Sequence, residues 1–238
     1  MDESGIALVT GGSRGIGRAA ATALAERGFT VVIVGQDASR VAAAVQTMVG
    51  AGHDVIGEVC DVTDPADVAR LGAEIAAVGQ VEVLVNSAGV MSDRMAKTLR
   101  ATPEEWRRVI DVNLFGAIHL IGQFGPGMAD RRRGRVVNVS ACLGRFTGPG
   151  LAGGLAPYRV SKSALNALTL NFAAETGFGR RGVLVDAMCP AHCRTDMGGP
   201  NAPRSAEQGA DTIVWLATRD AAGAQTGLLW EDRQPIPW

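Results

Sequence analysis

The sequence predicts an α/β protein: a doubly wound parallel sheet of about seven strands with helices on both faces, in a single domain spanning residues 1–238. Short runs of β-branched residues alternate with longer helical stretches along the whole chain. Strand–helix alternation of this kind is typical of a parallel sheet. Neither a linker-like change of composition nor an internal repeat divides the chain. A ligand is therefore expected beyond the carboxyl ends of the strands.

Six of the strands can be placed from their apolar runs. Each run is short and rich in valine, isoleucine or leucine, as expected for strands buried on both faces. The predicted strands are residues 6–9, 31–34, 55–60, 83–86, 135–139 and 183–189.

Three helices have recognisable starts. Asp64 followed by proline gives an N-cap with proline at the first helical position. Thr102 with Glu105, and Ser205 with Gln208, each have the spacing of a capping box. The sequence therefore predicts helices that begin directly after Asp64, Thr102 and Ser205.

Two segments are less regular. Gly125-Pro126-Gly127 lies within the long helix that begins at Thr102, and we expect it to kink or end that helix. Residues 141–157 contain five glycines and two prolines. We interpret them as a mobile loop that could act as a lid, with a plain surface loop as the alternative.

The composition argues against several classes of partner. Hydrophobic residues make up 47 % of the chain, charged residues 20 %, and the net charge is −1, so neither nucleic acid nor a membrane surface is an expected partner. The one basic run, residues 131–135, is interpreted as the solvated end of a helix. No stretch reaches the ~18 apolar residues of a membrane span. The acidic start, residues 1–4, does not resemble a signal peptide, and a cytoplasmic location is predicted.

The four cysteines, Cys60, Cys142, Cys189 and Cys193, have no disulfide-framework spacing, which favours a reducing compartment. Cys189 and Cys193 lie close to His192, which raises the question of a metal. A structural zinc site normally takes four ligands, and no second cluster supplies the fourth. No metal is therefore predicted.

Tyr158 is the only tyrosine of the chain, and Lys162, one of two lysines, follows it by four residues. On a helix this offset stacks both side chains on one face. A lysine ammonium beside a phenol is expected to lower the phenol's pKa from its usual value of about 10. Since 21 of the 23 basic residues are arginine, this lysine does not follow the general surface preference of the chain. The pair is thus a candidate for general acid–base catalysis.

A glycine-rich turn follows the first predicted strand. Residues 10–17 read Thr-Gly-Gly-Ser-Arg-Gly-Ile-Gly, and an alanine-rich helix comes next. Glycines let the backbone approach a pyrophosphate, and the helix N-terminus supplies free N–H groups and the positive end of its dipole. The turn therefore predicts dinucleotide binding.

The Gly-x-x-x-Gly-x-Gly spacing of this turn, together with Tyr158 and Lys162, resembles the short-chain dehydrogenase/reductase family over essentially the whole chain. Segments 194–199 and 208–217 are similar to its carbonyl-reductase-like branch. The resemblance implies a Rossmann fold in which one domain binds the dinucleotide and carries out catalysis. Further matching elements are Asp61-Val62, Asn86-Ser87-Ala88-Gly89 with serine in place of a second asparagine, Asn113, Ser140, and Pro190 with Thr195.

The resemblance also implies roles for these residues. In hydride transfer to a carbonyl carbon, Tyr158 would donate the proton and Lys162 would lower its pKa and bind the nicotinamide ribose. Ser140 would bond the substrate oxygen, and Asn113 would hold a water that links Lys162 to solvent. The implied coenzyme-binding residues are Gly11, Ser13, Arg14, Gly15, Ile16, Gly17, Gln36, Asp61, Val62, Asn86, Ala88, Gly89, Tyr158, Lys162, Pro190 and Thr195.

NADP(H) is predicted in preference to NAD(H). Gly35 stands where an acidic residue would bind the ribose 2′-hydroxyl and repel a 2′-phosphate. The guanidinium of Arg14, in the glycine turn, can donate two charge-assisted hydrogen bonds to a phosphate. Against this, Gln36 replaces the arginine of many NADP-using relatives, and Asp37 follows it.

The substrate pocket is expected to include residues 91–93, residues 143–146, His192, Cys193 and Met197. These residues are largely apolar, which predicts a neutral, moderately hydrophobic ketone or aldehyde. Reduction of an imine would use the same hydride geometry and remains open. A third hypothesis is a dinucleotide sensor without turnover, although all four catalytic residues are present.

Two features depart from the family pattern. Seventeen residues separate Ser140 from Tyr158, where about a dozen are common, and this length is compatible with a homodimer or homotetramer. Ala191 stands where glycine is usual. His192 follows it and either lines the pocket or has a structural role.

Overall fold

The computed structural model describes residues 5–93 and 95–238 and contains one eight-stranded sheet. The strand order is β3-β2-β1-β4-β5-β6-β7-β8, with all neighbours parallel except β7 and β8. The predicted doubly wound α/β class is confirmed, with an antiparallel strand added at one edge. The strands are β1 Ile6–Thr10, β2 Thr30–Gly35, β3 Val55–Val59, β4 Val81–Asn86, β5 Gly134–Val139, β6 Val183–Met188, β7 Leu229–Glu231 and β8 Gln234–Ile236.

Seven α-helices cover the two faces of the sheet within the described residues. Asp64 accepts the backbone N–H of Ala66, and Thr102 accepts that of Glu105. Ser205 and Gln208 form both bonds of a capping box, so the three predicted helix starts are confirmed. The helices are α1 Gly15–Ala25, α2 Ala38–Gly50, α3 Pro65–Ala76, α4 Pro103–Ile110, α5 Gly116–Arg131, α6 Ala156–Glu175 and α7 Ala206–Thr218.

The strand order reverses between β1 and β4, and this reversal positions the site. Alternate residues of β1 point to opposite faces, so that Val9 packs in one apolar core and Leu8 in the other. Both cores are closed by helices, which leaves the carboxyl edge of the sheet open to a ligand. β1 ends there at Thr10 and β4 at Asn86, which defines the crevice typical of this architecture.

The long helix after Thr102 is interrupted at a different place from the one predicted. α5 continues past Pro126 to Arg131, so of the two expected effects of this segment, the end of the helix is wrong and the kink stays a prediction. Pro126 and Gly122 both lie on the exposed side of the helix, where water can bond the Gly122 carbonyl that proline leaves without a donor. The irregularity is instead a π-helical turn, Asp111–Phe115, which separates α4 from α5.

No helix among residues 5–93 and 95–238 combines the length and the apolar character needed to cross a membrane.

A buried ion pair joins α7 to the sheet. Arg219, just after α7, donates to Asp186 of β6, and both side chains are almost fully buried. Asp186 also accepts the indole N–H of Trp230 at 2.9 Å. The guanidinium carbon of Arg219 lies 5.0 Å from the ring centroid of Trp215 and 4.9 Å from that of Trp230. Stacking and pairing together offset part of the cost of burying this charge.

Replacing Asp186 by asparagine should destabilise the protein strongly, because Arg219 would be left charged and buried without a counter-ion. Breaking such a pair typically costs about 3–5 kcal/mol, which can be measured by urea denaturation. Asp211→Asn removes a carboxylate from the exposed pair with Arg233 and should leave the free energy of unfolding nearly unchanged. Equal effects of the two substitutions would contradict the importance of the buried pair.

Candidate active site

The glycine-rich turn connects β1 to α1 in a conformation that depends on its glycines. Gly11 has φ +63° and Gly15 has φ +53°, which L side chains rarely adopt. A Cβ atom on Gly17 would lie 2.4 Å from the Gly11 carbonyl oxygen. The side chain of Arg14, at the N-cap position, makes no capping bond. The first turn of α1 thus presents backbone N–H groups to the crevice, and this arrangement fits a dinucleotide pyrophosphate.

A cleft of about 320 Å³ opens at this edge of the sheet. It runs from the glycine turn past the ends of β2 and β4 to α6 and to the segment after β6. Most of the predicted site residues line it together. They are Gly11, Ser13, Arg14, Gly15, Ile16, Gly17, Gln36, Val62, Ala88, Gly89, Ser140, Tyr158, Lys162, Pro190 and Thr195.

Three predicted site residues, Asp61, Asn86 and Asn113, lie beside the cleft rather than in its lining. The Asp61 carboxylate accepts the backbone N–H and the hydroxyl of Thr63, at 2.9 and 2.7 Å, and so shapes the turn before α3. Asn86 is buried and donates its amide to Asn138 Oδ1 at 2.8 Å. Both side chains therefore organise the ends of strands that carry cleft residues.

Asn113 lies in the π-helical turn and is buried. Its amide donates to the Val90 carbonyl and to Ser161 Oγ, both at 3.0 Å, and its Oδ1 accepts the Val90 N–H at 2.8 Å. A Cβ atom on Gly89 would be 3.3 Å from Asn113 Oδ1 and 3.7 Å from Lys162 Nζ. Because both amide hydrogens are already donated, the predicted water would have to donate to a carbonyl oxygen of Asn113.

Tyr158, Lys162 and Ser140 converge on the same part of the cleft, and all three are buried. Lys162 Nζ lies 5.8 Å from the ring centroid of Tyr158 and donates to the Val139 carbonyl at 2.8 Å. Ser140 Oγ donates to Asn166 Oδ1 at 2.5 Å. The predicted stacking of Tyr158 and Lys162 on one face of a helix is thus present in α6.

Burial determines the acid–base properties of this pair. It raises the pKa of Tyr158 to about 12 and lowers the pKa of Lys162 to about 8, because both charged forms lose solvation. The prediction that Lys162 holds the pKa of Tyr158 below its usual value is therefore wrong for this geometry. The phenol is protonated at neutral pH, which is the form that can donate a proton.

The segment between Ser140 and α6 forms two short 3-10 turns, Cys142–Gly144 and Gly148–Leu151. The guanidinium of Arg159 donates to four of its carbonyls, those of Leu143, Pro149, Gly150 and Gly154. The outer part of the segment is exposed, with Phe146 and Leu151 among its exposed side chains. One arginine therefore holds most of this predicted loop against α6.

Other expectations for the substrate pocket are corrected by the structure. Of the residues expected there, Met197 lines the cleft, whereas Cys193 is buried beneath Gly209 of α7. His192 Nε2 lies 2.8 Å from the Gly198 carbonyl, a structural contact within its loop. Ala191 has φ +58°, which explains why glycine is usual at this position.

Sequence reasoning missed several residues of the cleft. Arg40 is charged but belongs to no motif, and Asp196, within segment 194–199, pairs with Arg14. Gly35, Asp37 and Ser87 were considered in the sequence but not assigned to the site. The lining residues not assigned from the sequence are Val34, Gly35, Asp37, Arg40, Cys60, Ser87, Val90, Val112, Val139 and Asp196.

The cysteines differ from expectation. Cys142 and Cys189 form a disulfide, and Cys60 and Cys193 are free and buried. Among the described residues, Cys142 and Cys189 with Glu231 also form the group whose side chains lie close enough to share a metal ion. The cluster of Cys189, His192 and Cys193 considered from the sequence is not such a group. Strand geometry brings Cys142 and Cys189 together, which their spacing in the chain does not reveal.

The fold and the cleft define a dinucleotide-binding oxidoreductase with a buried tyrosine–lysine pair. The model of the short chain dehydrogenase family matches residues 5–206. The chain is also 33 % identical to the 3-oxoacyl-(acyl-carrier-protein) reductase FabG of Escherichia coli over 224 residues, covering 94 % of this chain and 86 % of that one. It belongs to the short-chain dehydrogenase/reductase family.

Two solved structures show how closely the fold agrees. A 3-oxoacyl-(acyl-carrier-protein) reductase with bound NAD from Brucella melitensis has a TM-score of 0.81 and 32 % identity, covering 94 % of this chain and 88 % of that one. A variant actinorhodin polyketide ketoreductase with NADPH has a TM-score of 0.84 and 26 % identity, covering 96 % and 95 %. This chain is similar to ketone reductases that bind either nicotinamide coenzyme.

Proposed function

We propose that this protein is an NADPH-dependent reductase of a neutral, moderately hydrophobic ketone or aldehyde, with Tyr158 as general acid. The observation that carries the proposal is the convergence of Ser140, Tyr158 and Lys162 on the cleft that begins at the glycine turn. Its similarity to 3-oxoacyl and polyketide ketoreductases supports ketone reduction. Membership of the carbonyl-reductase-like branch remains a prediction from segments 194–199 and 208–217.

Each of these residues has a separate role in the proposed reaction. A bound nicotinamide coenzyme supplies the hydride. Ser140 donates a hydrogen bond to the substrate oxygen, where negative charge develops, by turning its hydroxyl from Asn166. Tyr158 delivers the proton to that oxygen. Lys162, charged below a pH of about 8, offsets part of the burial cost of the phenolate that remains, although the net pKa of Tyr158 stays raised. The Asn113 carbonyl is proposed to hold the water that returns a proton.

The preference for NADPH is supported by the end of β2. A Cβ atom on Gly35 would lie 3.1 Å from Val41 and 3.3 Å from Ser13 Oγ, so there is little room here for an acidic side chain. Asp37 caps α2 through the Arg40 N–H and also pairs with the Arg40 guanidinium at 3.1 Å. Arg14 and Arg40 both line the cleft beside Gln36. Although each is paired with an aspartate of the lining, these two guanidinium groups supply the charged donors that a 2′-phosphate would need.

Oligomer formation is also proposed, as a homodimer or homotetramer. Phe115, before α5, and Leu170 of α6 are large apolar side chains that are more than two-fifths exposed. Contact with a second copy of the chain would cover such positions.

A substrate screen tests the proposed function. Purified protein is mixed with NADPH and a panel of activated ketones, aldehydes, β-ketoacyl thioesters and cyclic imines, and coenzyme absorbance is followed. Ketone or aldehyde turnover above imine turnover is expected. Faster reduction of imines, or tight coenzyme binding without turnover of any compound, would contradict the proposal.

Tyr158→Phe should reduce kcat for the best ketone by about 10²–10⁴-fold, the usual contribution of general acid–base catalysis. The ring would keep its packing while the proton donor is lost. Stopped-flow turnover, together with coenzyme binding by fluorescence, separates a catalytic defect from a binding defect. Turnover within a few-fold of the wild type would mean that another group supplies the proton.

Ketone reduction should slow as the pH rises through about 8. The pKa of Lys162 is lowered to about 8 by burial, so its ammonium is present below that pH and lost above it. A profile of kcat between pH 6 and 10 measures this decline. The Lys162→Met variant should have a low kcat over the whole range and show no decline near pH 8. A wild-type profile that is level to pH 10 would rule out a role for this charge.

Arg14→Ala should raise KM for NADPH by about tenfold or more and leave KM for NADH almost unchanged. Hydrogen bonds to charged groups contribute about 1.5–3 kcal/mol, and 1.4 kcal/mol corresponds to a factor of ten. Arg18→Ala removes the same charge one turn along α1, outside the cleft, and serves as the matched control. A wild-type preference for NADH would refute the coenzyme assignment.

A further inference from the structure

The Cys142–Cys189 disulfide lies at the carboxyl edge of the sheet, beside the proposed catalytic groups. Cys142 follows Ser140 by two residues, and Cys189 immediately precedes Pro190, which lines the cleft. Their Cα atoms are 5.5 Å apart, a separation that disulfides commonly span. The bond closes a loop of chain that contains both Tyr158 and Lys162.

The two sulfur atoms have different surroundings. Cys189 is buried, and its Sγ accepts the backbone N–H groups of Cys142 at 2.9 Å and Ala191 at 3.4 Å. Two such donors stabilise a sulfur that carries negative charge. Cys142 is half-buried, and its Sγ lies 3.3 Å from a carboxylate oxygen of Glu231. Cys142, with Glu231 beside it, is thus the sulfur that a small molecule can reach first, whereas Cys189 is shielded behind it.

We propose that Cys142 and Cys189 are a reversible dithiol–disulfide pair, oxidised by exchange with a small-molecule disulfide, that fixes the substrate wall of the cleft, which we define as Ser140 and Pro190. Cys142 gives its proton to Glu231 and attacks one sulfur of the oxidant, whose first thiolate leaves and takes up that proton. Cys189 then loses its proton to water and attacks the Cys142 sulfur, the protein disulfide forms, and the second thiolate leaves and takes up a proton from water. Two protein thiols are oxidised and one disulfide is reduced to two thiols.

The position of the bond explains why its state should affect the site. The Ser140 N–H bonds the Met188 carbonyl at 2.8 Å and continues the pairing of β5 with β6. Beyond it, Arg159, Ser163 and Asn166 of α6 hold the segment, and Arg145 of the segment donates to the Pro237 carbonyl at 2.9 Å. The disulfide ties this segment to β6 as well. Its reduction is expected to loosen the substrate wall and leave the glycine turn unchanged. This kinetic consequence rests on the proposed function, whereas the redox chemistry does not.

The test equilibrates the protein in mixtures of reduced and oxidised glutathione, followed by acid quenching, alkylation and peptide mass spectrometry. We expect Cys142 and Cys189 to become alkylated together as the buffer becomes more reducing. Reduction should lower Tm by about 10 °C, since the bond closes a long loop. KM for the best ketone should rise by at least about fivefold, the scale of a modest coupling between sites. The Tm and peptide measurements need no substrate, so they remain decisive if the proposed function fails.

Matched variants separate the pair from a general effect of thiols. Cys142→Ser and Cys189→Ser should each have Tm and KM values close to those of the wild-type protein with the disulfide reduced. Neither value should change with the glutathione mixture. Cys193→Ser changes a free cysteine outside the cleft lining and should respond as the wild type does. The proposal is overturned if no linked Cys142–Cys189 peptide forms in any mixture, or if Tm is the same in both states. Equal KM values for the oxidised and reduced protein, or stoichiometric zinc binding that requires both cysteines, would also overturn it.

Discussion

The buried ammonium of Lys162 is the constraint on which the rest of the site depends. A charge removed from water is costly unless protein dipoles replace its solvation, and here the Val139 carbonyl accepts from it at 2.8 Å. This contact fixes α6 against the end of β5. The same register places Tyr158 one turn earlier and brings Asn166, one turn later, to the Ser140 hydroxyl. One helix position thus sets the geometry of all the proposed catalytic groups on α6 and β5.

A second set of polar contacts maintains that register deeper in the protein. Asn86 of β4 donates to Asn138 of β5, which in turn donates to Thr169 of α6 at 2.9 Å. Each residue is buried, so that a shift of α6 would leave amide groups without partners. Asn86 therefore acts on the cleft indirectly, although it resembles a coenzyme-binding residue in sequence. The polar chain explains how an apolar sheet holds one helix in a defined position.

Local rules were sufficient for the strands, the capped helix starts and the glycine turn, because propensity and spacing over a few residues determine them. Features that depend on distant contacts were not predictable. The disulfide joins residues 47 apart in sequence, and Pro126 is tolerated because its face of α5 is exposed. The raised pKa of Tyr158 likewise follows from how α6 packs. The motifs identify the segments that surround the cleft, whereas tertiary packing determines which of their side chains line it.

Arg14, the arginine proposed to bind the 2′-phosphate, is already paired with Asp196. The strength of this pair decides whether a phosphate can replace the carboxylate. The two side chains join the glycine turn to the segment after β6, and both are more than half exposed. Exposed ion pairs contribute only about 0–1 kcal/mol, whereas charge-assisted bonds to a phosphate contribute about 1.5–3 kcal/mol. The proposed 2′-phosphate site therefore requires only that Arg14 give up a weak, exposed ion pair. Because this ion pair connects two walls of the cleft, its exchange would couple coenzyme binding to the position of the segment that carries Met197.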